Sequence, residues 1–161
     1  MRILKIKLTK ENRITVKYEK QSNVAGMPDE YFMTCADRPL ESLLFALADL
    51  APHVIDMCEL PLEYEDRITV KSVSYSYGGE AEVMGATITA TMHLEKSSCD
   101  LNLNTPHKAS GSYSDAPAQD GALLTDECIK VLERLAAERK VEEERYVKGE
   151  RQQTNLFSQA A

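Results

Sequence analysis

The stretch from Arg67 to Leu94, RITVKSVSYSYGGEAEVMGATITATMHL, constrains the fold more than any other part of the chain. Two runs rich in Val, Ile, Thr and Tyr flank Gly78-Gly79, and β-branched and aromatic residues suit a pleated surface. A Gly pair supplies positive φ at little steric cost, so the chain is expected to reverse there. In the second arm Met84, Ala86, Ile88, Ala90, Met92 and Leu94 alternate with Val83, Gly85, Thr87, Thr89, Thr91 and His93. This period of two predicts one apolar face and one threonine stripe. In the first arm Ile68 and Val70 share one parity, whereas Arg67, Lys71, Val73, Tyr75 and Tyr77 share the other. The parity change around Ser72, Ser74 and Ser76 predicts a bulge or a twist. A long antiparallel hairpin follows, with a buried face and a polar, partly basic and aromatic face.

A second hairpin is expected at the start of the chain. Leu4, Ile6 and Leu8 alternate with Ile3, Lys5, Lys7 and Thr9. After the turn Lys10-Glu11-Asn12, Ile14, Val16 and Tyr18 face inward against Arg13, Thr15, Lys17 and Glu19. Its solvent face is basic. Lysines on such a face also guard strand edges against aggregation, so this feature has a structural reading beside a functional one. Residues 21–30 read as loop and Tyr31 to Cys35 as a short third strand.

Asp37-Arg38-Pro39 suggests a helix start, with an acidic cap and a Pro where a missing N–H costs nothing. Leu40, Leu43, Leu44, Leu47 and Leu50 form its apolar stripe, and Pro52 should end or kink it. Residues 95–120 read as a long loop with a short strand at Leu101 and Leu103. A second helix is expected from near Asp120 or Thr125, with an apolar stripe of Leu124, Cys128, Ile129, Leu132, Leu135 and Ala136. Its continuation, AERKVEEERYVKGER, is charged nearly all round and is expected to project into solvent, or to join another subunit through Val141, Tyr146 and Val147, and then stop at Gly149. The domain reading is therefore an α+β domain over 1–136, a charged helix end over 137–150 and a flexible tail over 151–161.

The net charge of −7 argues against a surface that coats DNA indiscriminately, but the charge is uneven. Residues 1–20 hold seven Lys or Arg against two Glu, a local +5 that leaves −12 on the rest. Cys35, Cys58, Cys99 and Cys128 show neither C-x-x-C nor metal-ligand spacing, so reduced, partly buried thiols are expected, with no metal and no cofactor. His53 lies near Cys58, but ordinary packing explains both. There is no leader or membrane-length apolar run, which leads to a soluble, cytoplasmic expectation in a bacterial host and no membrane partner. No nucleophile elbow, phosphate loop or metal spacing groups the acidic, His and Cys residues, so no catalysis is assigned.

The element order β-β-β-α-β-β-α resembles the OB-fold of single-stranded-DNA-binding proteins, implying a five-stranded, partly closed barrel; an open antiparallel sheet packed by helices fits equally well. The longer helix and the lack of Trp depart from the OB pattern. Such proteins follow a backbone and stack bases on a basic and aromatic strand face. That likeness points to Lys5, Lys7, Arg13, Lys17, Arg67, Lys71, Tyr75 and Tyr77 as nucleic-acid-binding residues. Gln152-Gln153-Thr154-Asn155-Leu156-Phe157 resembles the short peptides by which bacterial polymerases and repair proteins bind the sliding clamp, with Gln152, Leu156 and Phe157 as anchors of a six-residue form or Gln153, Leu156 and Phe157 of a five-residue form. The usual apolar second position is Gln153 here. The chain also resembles small proteins encoded near replication and recombination genes of tailed phages and prophages. The expectation is an accessory DNA-metabolism protein, homo-oligomeric, that contacts single-stranded DNA and a clamp. The alternative is a non-enzymatic phage inhibitor of a host protein that does not bind nucleic acid.

Overall fold

The structure, a computed structural model, describes residues 2–21, 26–36, 38–79, 81–111 and 123–147, with side chains up to residue 138. It is an α+β fold: one antiparallel sheet with its helices on a single face. The elements run β1 (Arg2–Leu8), β2 (Ile14–Lys20), β3 (Asp29–Thr34), α1 (Glu41–Ala48), α2 (Ala51–Met57), a 3-10 turn (Leu62–Arg67), β4 (Ile68–Gly78), β5 (Val83–Met92), β6 (Leu101–Asn104), β7 (Lys108–Ala109) and α3 (Asp126–Val147).

The sheet order is β3-β2-β1-β4-β5-β6, with the two-residue β7 also paired to β5. Two three-stranded meanders thus lie side by side, joined at an antiparallel β1–β4 seam where Ile6 faces Val73. The sheet is open. This corrects the expectation of five strands, because Leu101–Asn104 adds an edge and β7 extends it, and no pairing among the described residues closes a barrel.

Two bulges set which side chains are buried. The β4–β5 register shifts between Val70 and Ser72. Ile68 and Val70 before the bulge, and Val73 and Tyr75 after it, therefore all reach the covered face and are buried. The expected parity break is there, but its consequence differs: Tyr75 and Tyr77 point toward the helices and not outward. The β1–β2 register shifts between Ile3 and Lys5. That shift buries Ile3 at 3% exposure and leaves Leu4, the expected inward residue, only partly buried.

Along the centre of the covered face runs one row of apolar neighbours, Met33–Val16–Ile6–Val73–Ile88. Leu43, Leu47, Leu50, Val54, Leu132 and Leu135 close over this face. The Tyr75 hydroxyl donates to the carbonyl of Leu132 (2.8 Å), tying β4 to α3.

The first helical region is split. Asp37 lies outside the described residues, α1 begins at Glu41 without a side-chain cap, and Pro52 sits in the first turn of α2, where its missing N–H leaves no bond unmade. The chain reverses at Gly79 (φ 72°) and Glu82 (φ 51°). Thr125 caps α3, its Oγ1 accepting the N–H of Cys128 (3.2 Å).

Candidate nucleic-acid interface

No described element packs over the other face of the sheet, and cross-strand register brings distant residues into rows there. One row reads Phe32–Lys17–Lys5–Ser74–Thr87. The next reads Thr34–Thr15–Lys7–Ser72–Thr89–Asn104. Hydroxyls bond to one another along it: Thr15 Oγ1 with Thr34 Oγ1 at 3.2 Å, and Ser72 with Thr89. At the far corner Ser76 Oγ and His107 Nε2 lie 2.7 Å apart. His107 lies over Gly85, where a Cβ would come within 2.5 Å of Nε2.

The charged corner is formed by Lys5, Lys7 and Lys17. A shallow depression of about 200 Å³ lies among Lys5, Lys7, Thr9, Thr15, Lys17 and Phe32. Lys5 and Lys17 are directly opposite each other. Like charges in that position destabilise a strand pair. Lys17 has Glu30 at 3.2 Å for compensation. Among the described residues, Lys5 and Lys7 have no acidic partner. Phe32 stands beside Lys17 and is 73% exposed.

The remaining expected site residues fall elsewhere. Arg13 is at the β1–β2 turn, 3.9 Å from Glu11. Arg67 is held by Glu95 (2.5 Å) with its guanidinium over the Tyr64 ring. Lys71 occupies the bulge in β4 and is half-buried. Tyr75 is 6% exposed on the covered face, and burial pushes its hydroxyl pKa well up. Tyr77 is half-buried there, its hydroxyl donating to the Ile3 carbonyl (3.0 Å) and its ring under Arg2 (4.5 Å). Neither tyrosine ring is available as a base platform on the open face. Gln152, Leu156 and Phe157 lie outside the described residues.

Phe32 is the residue that strand reading alone passed over. The alternation in Tyr31-Phe32-Met33-Thr34 separates Phe32 from Tyr31, but only pairing to β2 places it next to Lys17. Tyr31 instead stacks on Tyr18 on the covered side, with ring centroids 5.2 Å apart. Burial also raises the thiol pKa values of Cys58 and, to about 11, of Cys128. Among the described residues, no three His, Cys, Asp or Glu side chains are grouped to hold a metal ion, and no helix is long and apolar enough to cross a membrane.

Comparison with protein-family models, with curated proteins and with solved structures finds no match to this chain.

Proposed function

We propose that the open face binds single-stranded DNA through Lys5, Lys7, Lys17 and Phe32, and that the Gln152–Phe157 peptide recruits the bound protein to a sliding clamp. The protein would then be a non-enzymatic accessory of DNA metabolism, of the kind encoded beside phage replication and recombination genes. The observation that carries this reading is the pairing of Lys5 with Lys17, beside an aromatic ring that is 73% exposed. A face that keeps like charges opposed and an aromatic ring in water gains on meeting a phosphate backbone with stackable bases. Single strands suit it because their bases are free to lie on Phe32, whereas a duplex keeps them stacked inside.

The test is a titration against labelled single-stranded and duplex DNA at two salt concentrations. Three lysines neutralising about three phosphates give a slope of log K against log salt of about −2. Phe32→Ala should weaken binding by about 1–3 kcal/mol, the value of one base stack. Charge reversal at Lys5, Lys7 and Lys17 should abolish it. Absence of binding at low salt, or equal affinity for duplex, would overturn the reading. Clamp binding through Leu156-Phe157 without DNA binding would instead favour an inhibitor of a host protein.

A further inference from the structure

β3 is an outer strand of the sheet, and no described residue pairs with its far edge. The direction of its backbone groups follows from one hydrogen bond. The N–H of Cys35 donates to the Ile14 carbonyl (2.9 Å), which makes Ile14–Cys35 a hydrogen-bonded pair. The β2–β3 register continues without a bulge, so Val16–Met33 and Tyr18–Tyr31 are hydrogen-bonded pairs as well. Glu30, Phe32 and Thr34 alternate with these and therefore turn their N–H and C=O groups outward. All three are exposed. Between Asp29 and Thr34 there is no Pro, Lys or bulge to blunt the edge, and its charged side chains, Asp29 and Glu30, stand together at one end. The opposite edge is interrupted between β6 and β7 by Thr105, Pro106 and His107.

We propose that two copies of this chain join β3 to β3, antiparallel, about a two-fold axis that passes through Phe32 normal to the sheet. Such an axis keeps both covered faces on one side, so only residues of the same parity can oppose each other. If Tyr31 opposed itself, Thr34 would face Pro28, which has no N–H to give. If Phe32 opposes itself, Glu30 faces Thr34 on both sides of the axis, and every outward N–H and C=O of the three residues finds a partner. Tyr31 then meets Met33 on the covered side, an aromatic ring against a thioether. The two Glu30 carboxylates stay four residues apart along the strands, about 13 Å. Backbone bonding and charge thus both favour this register over the one centred on Tyr31. The joined open faces form one surface, with the two Phe32 rings at its centre between the two Lys17 side chains, so each copy completes the other's aromatic platform. A single strand pair is a small interface, which implies a concentration-dependent dimer.

The test needs no DNA, so its failure is separable from failure of the DNA-binding reading. In a Cys99→Ser background, which removes the exposed native thiol, Phe32→Cys should form a disulfide dimer on oxidation. The pair would hold its Cα atoms about 5.5 Å apart, within disulfide reach. Thr34→Cys places its two thiols about 13 Å apart and should stay monomeric. Glu30→Pro deletes one outward N–H per copy and leaves the β2–β3 ladder intact, so sedimentation equilibrium should show association weakened by about tenfold. A circular-dichroism melt checks that this variant is folded. The proposal is overturned if Phe32→Cys does not cross-link, if Thr34→Cys cross-links equally, or if folded Glu30→Pro associates like the unaltered chain.

Discussion

The two meanders that build the sheet, β1-β2-β3 and β4-β5-β6, have the same connectivity and equivalent covered faces, yet they present different chemistry to solvent. Under the helices, Ile6 and Val16 of the first meander match Val73 and Ile88 of the second, and all four are fully buried. On the open side the first meander carries Lys5, Lys7, Lys17 and Phe32, with Glu30 paired to Lys17. The second carries Ser72, Ser74, Thr87, Thr89, Thr91, Asn102 and Asn104, neutral groups of which Ser72 and Thr89 bond to each other. Covered positions are constrained by packing and open positions are not, so the two halves can diverge outward without cost to the core. The difference teaches where to look for function: the half that tolerates opposed charges and an exposed ring is the one with a reason to do so.

Truncation inside the core should affect the two halves alike. Ile6→Ala and Ile88→Ala, one in each meander, should each cost about 2–5 kcal/mol, read as a lowered urea midpoint at unchanged slope. A large inequality would mean that one half is packed more loosely and would break the equivalence. Tyr75→Phe comes next, at about 0.5–1.5 kcal/mol, because it removes a buried hydrogen bond to the Leu132 carbonyl, which keeps its partner within the helix. A neutral result would show that α3 is held by its leucines alone.

Smaller effects follow from titration. Burial raises the Cys128 thiol from 9.0 to about 11. Well below pH 9 the thiol is neutral in both states and contributes nothing to pH dependence. As pH rises from about 9 to 11 the unfolded thiol ionises before the folded one, so stability should fall across that window. Tyr75, whose pKa is also raised, adds to the fall above pH 10. Cys128→Ala should flatten the alkaline decline, measured by urea unfolding between pH 8 and 11. The smallest expected change is on the open face. Lys5→Met should leave stability within about 0.5 kcal/mol, or raise it, because an opposed charge is removed, and the same substitution should weaken DNA binding. A marked loss of stability would show that the lysine has a structural role and would sharpen the contrast the other way.

Much of this molecule was legible in the residues. The central hairpin, its apolar row on β5, the N-terminal hairpin, the short strand at Leu101 and the stripe of α3 all follow from period two or period 3.6. The parity break in β4 announced its bulge. The direction in which Tyr75 and Tyr77 emerge was not legible, because a bulge inverts the facing of every residue beyond it and its position is set by pairing with β5. The split between α1 and α2 was signalled by Pro52, although the break falls at Asp49-Leu50 and Pro52 opens the second helix.

The sequence by itself determined the class of fold, the identity of most core residues and a local excess of positive charge in the first twenty residues. These depend on short-range periodicity and composition, which a chain carries whatever its topology. Only the tertiary structure decided that β1 pairs with β4, that the sheet stays open, and that Lys5, Lys7, Lys17 and Phe32 share one corner of one face. Those facts depend on register between strands distant in sequence, where a shift of one residue sends a side chain to the opposite face of the sheet.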